Sequence, residues 1–370
     1  MQGPILFLSV LSILIVTHEW GHYITARLLK IRVERFSIGF GPILFRRKAT
    51  HEDGTEFCVS LIPMGGYVKL AGESPESSTG AAWEFHTRSN FHKFLVVVAG
   101  PLVNAIVAFL IFAAIFVAGQ PVVTTQVGQV MPDHAGHAAG LKAGDRIVSV
   151  NGVKVKYWEE LLRELPKHRD GELWIDIERS GTGAAERLNL TPKLVKQKNM
   201  FGKEHTVPRI GILPSGEADI VRQSPLAAAG AAINKVIQLS AMIFASLGMV
   251  ITGAVSFKDS MAGPIGIYVM TQEAAKIGWV YLFDFMGRLS VSLFVINLLP
   301  VPVLDGGHLL FIGIETITRR KLSDRVKEWG LKIGMVLVLT LTVFVIYQDF
   351  IKYEIVGNAF KAVQALLGRS

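Results

Sequence analysis

PILFLSVLSILIVTHEWGHYITARL, residues 4–28, decides how the rest of the chain is read. Residues 4–17 carry no charge, and then His18, Glu19 and His22 put three ionisable groups into five positions. A spanning helix needs about 20 mostly apolar residues, so the run is long enough to cross a bilayer. An ionisable group deep in such a helix costs about 2.5–3.5 kcal/mol even on insertion scales. Positions i and i+4 share one helical face, so both imidazoles can reach one metal ion while Glu19 lies beside it. A divalent metal would compensate all three groups at once. The plainer alternative ends the span near Thr17 and leaves HEWGH at the interface. The segment has no basic leader and no small-residue cleavage site, so a removable signal peptide is not expected.

Composition agrees with a membrane protein. Of 370 residues, 50% are hydrophobic and only 18% charged, against about 25% charged in ordinary soluble domains. Disorder is excluded, because it needs low hydrophobicity. A disulfide framework is excluded because Cys58 is the only cysteine. The net charge of +8 fits basic cytoplasmic loops, and no nucleic-acid partner is expected.

Further spans are expected at 94–118, FLVVVAGPLVNAIVAFLIFAAIFVA, at about 289–304 with the upstream WVYLFDF, and at 331–347. The stretch 226–257 is ambiguous: it is long enough to span, yet Asn234, Lys235, Gln238 and Ser240 also allow a helix lying on the surface. Lys30, Arg32, Arg35, Arg46, Arg47 and Lys48 follow the first span, and Arg319, Arg320, Lys321, Arg325 and Lys327 precede the last. The positive-inside rule makes both loops cytoplasmic. The first and third spans then run in the same direction, which requires that 226–257 not cross.

Residues 122–195 have globular composition, with alternating strands in DRIVSV and LWIDIE, a helix in WEELLREL and a hairpin turn at Asn151-Gly152. AAGLKAGDRIVSVNGVKV resembles a PDZ domain of the type attached to bacterial proteases. Such a domain can bind peptide C-termini by strand addition, or can act as a spacer or size filter.

A catalytic zinc site takes three protein ligands and leaves one position open. Asp305, in NLLPVPVLDGGH, is the candidate third ligand: Pro300 and Pro302 break the helix, and Gly306-Gly307 frees the backbone. At 1.5 Å per residue, His18 and His22 lie roughly 21–27 Å from Pro4, and Asp305 roughly 24 Å from Leu289 if helical. His308 would close the site as a fourth ligand and is left out of the set.

HEWGH, FLVVVAGPLVN, the PDZ-like insert and NLLPVPVLDGG together, in this order, resemble the site-2 protease family of intramembrane zinc metalloproteases, in its regulator-of-sigma-E branch. The resemblance implies a polytopic α-helical membrane protein with four transmembrane helices, a membrane-associated β-region and an inserted extracytoplasmic PDZ domain. It implies Zn2+ held by His18, His22 and Asp305, Glu19 as general base, and Asn297 handling substrate. The implied division is 1–30 for the first span, 31–92 for a cytoplasmic-side loop with a β-hairpin and 93–119 for the second span. There follow 122–195 for the PDZ domain, 196–278 for a segment with a surface helix, 279–318 and 331–350 for the last spans and 351–370 for a tail. Single-span membrane proteins, such as anti-sigma factors or signal-peptide remnants, would be the substrates. The setting would be the bacterial inner membrane, with the PDZ domain periplasmic, the active site near the cytoplasmic side and the lipid bilayer as a partner. Some relatives carry two PDZ domains, whereas this chain has length for one. A non-proteolytic PDZ-bearing scaffold is the alternative, against which the intact Glu19 argues. A metal or ion transporter is weaker still, since no inverted repeat is visible.

Overall fold

Three helices build the centre of the membrane unit in a computed structural model of the chain, which describes residues 2–48, 54–73, 78–167, 171–198, 204–256 and 262–353. They are α1 (Gln2–Leu28), α2 (Asn90–Ala118) and, later in the chain, Trp279–Asn297. Val10 and Leu14 of α1 pack with Leu282 and Met286, and Val107 and Ile111 of α2 close the cluster. Four residues further along α1, His18 meets Asn104 of α2, whose carbonyl accepts from the Ser290 hydroxyl at 2.7 Å. The first helix and 279–297 therefore ascend together while α2 descends.

The loop after α1 is a long antiparallel hairpin, β1 (Val33–Lys48) and β2 (Glu56–Leu70), with several register shifts. Aromatic contacts among Trp20, Tyr23, Phe36 and Phe57 fasten its near half to α1. Its far half exposes the large apolar side chains of Phe40, Leu44, Phe45, Leu61 and Ile62. Gly39 is buried at φ +89, where a Cβ would meet the Ile62 carbonyl oxygen at 2.6 Å, so only glycine fits that turn of the strand.

A second unit, 116–227 with 249–255, is rich in strands. It holds β3 (Gln120–Val123), β4 (Val127–Val130), the short α3 (Ala135–Ala138), β5 (Arg146–Val150), β6 (Val153–Lys154) and α4 (Trp158–Glu164). Then come β7 (Leu173–Glu178), β8 (Ala185–Leu190), β9 (Lys193–Lys198), β10 (Glu204–Arg209), β11 (Ile212–Pro214) and β12 (Ala218–Val221). The largest sheet runs β6-β5-β7-β8, and Ile147, Leu161, Leu173, Ile175 and Ile177 fill its core. Asn151 (φ 47) and Gly152 (φ 82) make the expected β5–β6 turn, with the Asn151 side-chain oxygen accepting from the Trp174 N–H at 2.7 Å. Asp145, fully buried, accepts from the Lys142 N–H at 2.8 Å and from Arg179 at 2.8 Å. That pairing explains the aspartate in the AGD turn.

The chain continues as α5 (Pro225–Ile251), α6 (Pro264–Ile277), α7 (Trp279–Asn297), α8 (Asp305–Thr318) and α9 (Asp324–Lys352). Among the described residues, five helices, the ambiguous α5 one of them, are long and apolar enough to cross a membrane. The expected third span is in fact two helices, for α7 stops at Asn297 and α8 begins at Asp305 after the irregular 298–304. Estimating the depth of Asp305 along a continuous helix is therefore incorrect. Asp349 of α9, 2% exposed, accepts from the N–H groups of Gly263, Ile265 and Gly266. It thereby satisfies donors at the start of α6 that have no partner within that helix. The tail beyond 353 lies outside the described residues.

Glu84 locks the loop between β2 and α2. Its carboxylate, 1% exposed, accepts from the Ser78 and Thr79 hydroxyls at 2.5 and 2.6 Å and from the Thr79 and Gly80 N–H groups at 2.9 and 3.1 Å. These donors hold its pKa down to about 2. The folded value lies below the unfolded one, so the stabilisation is present above about pH 4.5 and is lost as pH falls toward 2. Thermal melts of detergent-purified protein should show a lower Tm for Glu84→Gln at pH 7. The gap to wild type should narrow as pH drops from 4.5, and a gap independent of pH would contradict this role.

Candidate active site

Late in α1 the two histidines point the same way, their ring centroids 4.9 Å apart. Nε2 of His18 lies 3.1 Å from Asp305 Oδ2, Nε2 of His22 lies 3.4 Å from it, and the two nitrogens are 3.3 Å apart. Two N/O ligands on a tetrahedral zinc, at about 2.0–2.1 Å each, stand roughly 3.3–3.4 Å apart. The three observed spacings match the edges of such a tetrahedron. His18, His22 and Asp305 are the one group of potential metal ligands found among the described residues.

Proton accounting makes the same demand. The His22 Nδ1 is 2.8 Å from the Val96 carbonyl oxygen. A carbonyl only accepts, so Nδ1 carries a proton, and in the neutral ring Nε2 presents a lone pair toward Asp305. Asp305 Oδ2 is buried without a hydrogen-bond partner. Lone pairs of nitrogen and carboxylate oxygen converging in a closed site repel unless a cation sits among them. The donor set is the borderline N/O combination that zinc accepts.

The elements that bring these groups together do so by close backbone approach. A Cβ on Gly21 would lie 2.4 Å from the Ala99 carbonyl oxygen, and one on Gly100 would lie 2.2 Å from His22 Nε2. Glycines at both positions let α1 and α2 touch at the level of the histidines. In α8 a Cβ on Gly306 would meet the carbonyl oxygens of Leu298 and Leu299 within 2.4 Å, and one on Gly307 the Pro302 Cα at 2.3 Å. Neither glycine has a positive φ. Their role is thus room for α8 to fold back on 298–302, which corrects the expectation of backbone freedom.

Glu19 is half-buried on the same face of α1. A Cβ on Gly66 of β2 would lie 3.3 Å from its Cγ, so the hairpin runs directly beside it. Asn297, the last residue of α7, is half-buried and makes no side-chain hydrogen bond among the described residues. His308 is exposed and stands outside the ligand group. The Asn104 side chain, outside the set of site residues expected from sequence, lies 3.3 Å from His18 Nδ1 and is fully buried. The signal was its i+4 spacing from Gly100, which puts both on the α2 face toward α1.

Gly100→Ala should leave helix α2 intact, since alanine is the better helix former. Displacing His22 by about 1 Å should nevertheless weaken function on the order of 10²-fold. Chelator competition on purified protein should show weaker metal binding at unchanged helicity, and unchanged affinity would contradict the close approach.

Residues 6–341 match the family model described as Peptidase family M50. A Mesorhizobium japonicum protein named as a zinc metalloprotease is 34% identical over 93% of this chain and 97% of its own length. Protease RseP of Yersinia pestis is 30% identical over 93% of this chain and 97% of its own. The regulator of sigma-E protease RseP of Salmonella typhimurium is 29% identical over the same shares. Among solved structures, the PDZ domain of the SdrC-like protein from Listeria innocua covers 25% of this chain and 92% of itself, at 25% identity and a TM-score of 0.20. With a family match over nearly its whole length, the chain belongs to peptidase family M50, the site-2 proteases, a family of zinc metalloproteases.

Proposed function

We propose that this protein is an intramembrane zinc endopeptidase that cuts transmembrane segments of single-span membrane proteins. One observation carries the reading: His18, His22 and Asp305 converge at zinc-ligand spacing inside an apolar helix bundle. In this reading His18, His22 and Asp305 hold the metal and leave one position for chemistry. Zinc bound there supplies Lewis-acid polarisation of the scissile carbonyl and acidifies the attacking water. Glu19 takes a proton from that water and delivers it to the leaving amide nitrogen. Asn297, unpartnered at the end of α7, offers its amide to the substrate backbone or the developing oxyanion.

A helical substrate hides its own amides and must be unwound first. The β1–β2 hairpin lies against Glu19 through Gly66, and an exposed strand edge there can hold an unwound segment as an added strand. The exposed apolar half of the hairpin sits in the membrane in this reading.

Four crossings are favoured over five. α1 and α7 run in the same direction, so the number of crossings between α2 and α7 is even. α6 has 14 residues, about 21 Å of helix, too short for a hydrocarbon core of about 30 Å. α5 then lies along the membrane or dips into it without crossing. Its Lys235 pairs with Asp284 of α7 at 2.5 Å, as an ionisable group facing the bundle requires. The basic loops put the metal centre near the cytoplasmic side and residues 122–195 outside, as a PDZ domain in the periplasm of an inner-membrane protein. Membrane-anchored anti-sigma factors and signal-peptide remnants fit as substrates. The PDZ domain then either filters ectodomains by size or binds newly made C-termini.

Glu19→Gln should retain zinc while cleavage of a single-span reporter in detergent falls by about 10²–10⁴. Asp305→Asn should bind zinc more weakly. Cleavage that survives Glu19→Gln would remove the mechanism. If the insert is a size filter, deleting 122–194 should permit cleavage of substrates with intact ectodomains, whereas substrates that stay uncut would contradict filtering.

A further inference from the structure

The two histidines of the metal centre are held differently from behind. His22 donates from Nδ1 to the Val96 carbonyl, which fixes its tautomer. Among the described residues, the one group at the His18 Nδ1 is the amide of Asn104, at 3.3 Å. That side chain is fully buried, so solvent does not serve the ring in its place. With the amide nitrogen toward the ring, the amide oxygen is buried without a partner among the described residues. An NH2 group can only donate, which would leave the ring proton on Nε2, among the atoms that converge on Asp305. The two ends of an amide are assigned by their hydrogen bonds and not by their shape. Turning the amide over gives its oxygen a donor, puts the proton on Nδ1 and frees the Nε2 lone pair.

We infer that Asn104 is a positioning residue that accepts a hydrogen bond from His18 Nδ1 through its side-chain oxygen, fixing the tautomer in which Nε2 binds the metal. This rests on the reading of His18, His22 and Asp305 as zinc ligands. The Asn104 backbone is itself anchored, because its carbonyl accepts from Ser290 Oγ at 2.7 Å and Ser290 is fully buried. One turn of α2 thus links α1 and α7 at the level of the metal centre. Partners behind metal-binding imidazoles hold ring orientation, and their loss typically costs about 10–100-fold in metal affinity.

Zinc affinity by chelator competition, on the full chain in detergent, separates this from a packing role. Asn104→Leu keeps the volume and removes the acceptor, and should weaken zinc binding by about 10–100-fold. Asn104→Asp keeps an acceptor oxygen and should restore affinity close to wild type. Equal affinity in wild type and Asn104→Leu overturns the inference, as does an equal loss in both variants. Absence of zinc binding by wild type overturns the metal centre as well, so the two failures are distinguishable. Should either variant fail to fold, zinc-loaded wild type labelled with 15N-histidine gives the same answer. Both histidine signals that shift on zinc addition should show a protonated Nδ1, and an unprotonated Nδ1 on either would overturn the assignment.

Discussion

Two imidazoles and a carboxylate oxygen converge on one point inside a helix bundle, and their lone pairs, if all aimed there, would need a cation between them. Much else in the membrane unit follows from holding that point. The ring of His22 is turned by the Val96 carbonyl, the ring of His18 faces Asn104, and Asp305 reaches both from the first turn of α8. Burial makes the cluster costly alone and would strengthen its hold on a cation, since the same low dielectric magnifies both effects. Chemistry at this depth also needs groups that can move a proton, and Glu19 is supplied by the same helix face as the histidines.

The small residues around the centre share one purpose. Gly21, Gly100, Gly306 and Gly307 each sit where a methyl group would meet backbone or the His22 ring. Backbones in contact leave little freedom in the positions of the side chains they carry, and metal ligands need that precision. Pro300 and Pro302 interrupt the chain between α7 and α8, so Asp305 enters from a helix start and not from a helix flank. Irregular backbone at membrane depth is tolerated only where protein surrounds it. Here the first turn of α8 is packed directly on that interruption.

Features that depend on spacing within one element were readable from sequence. HEWGH announced itself through the i, i+4 rule and the β5–β6 turn through Asn151-Gly152, while the hairpin was expected from the family resemblance. Features that depend on how elements pack were not. Asn104 could be placed on a face of α2, but which face meets His18 depends on helix rotation. Asp349 lies more than eighty residues from the α6 backbone it caps, a pairing that no local spacing reveals. Hydropathy recognised α5 as long and apolar, yet length and apolarity do not say whether a helix crosses. The polar opening of α9, with Ser323 accepting from the Val326 N–H as its N-cap, lies outside the apolar stretch by which that span was recognised.

The most direct measurement is zinc K-edge X-ray absorption on the purified, zinc-loaded full chain. A centre made by His18, His22 and Asp305 predicts nitrogen and oxygen neighbours only, at about 2.0–2.2 Å, with the outer-shell scattering of two imidazoles. Substituting Asp305 should then lower the oxygen contribution and leave both imidazoles in place. A sulfur neighbour at about 2.3 Å, or a zinc environment unchanged when His18 or His22 is replaced, would contradict the assignment of the centre.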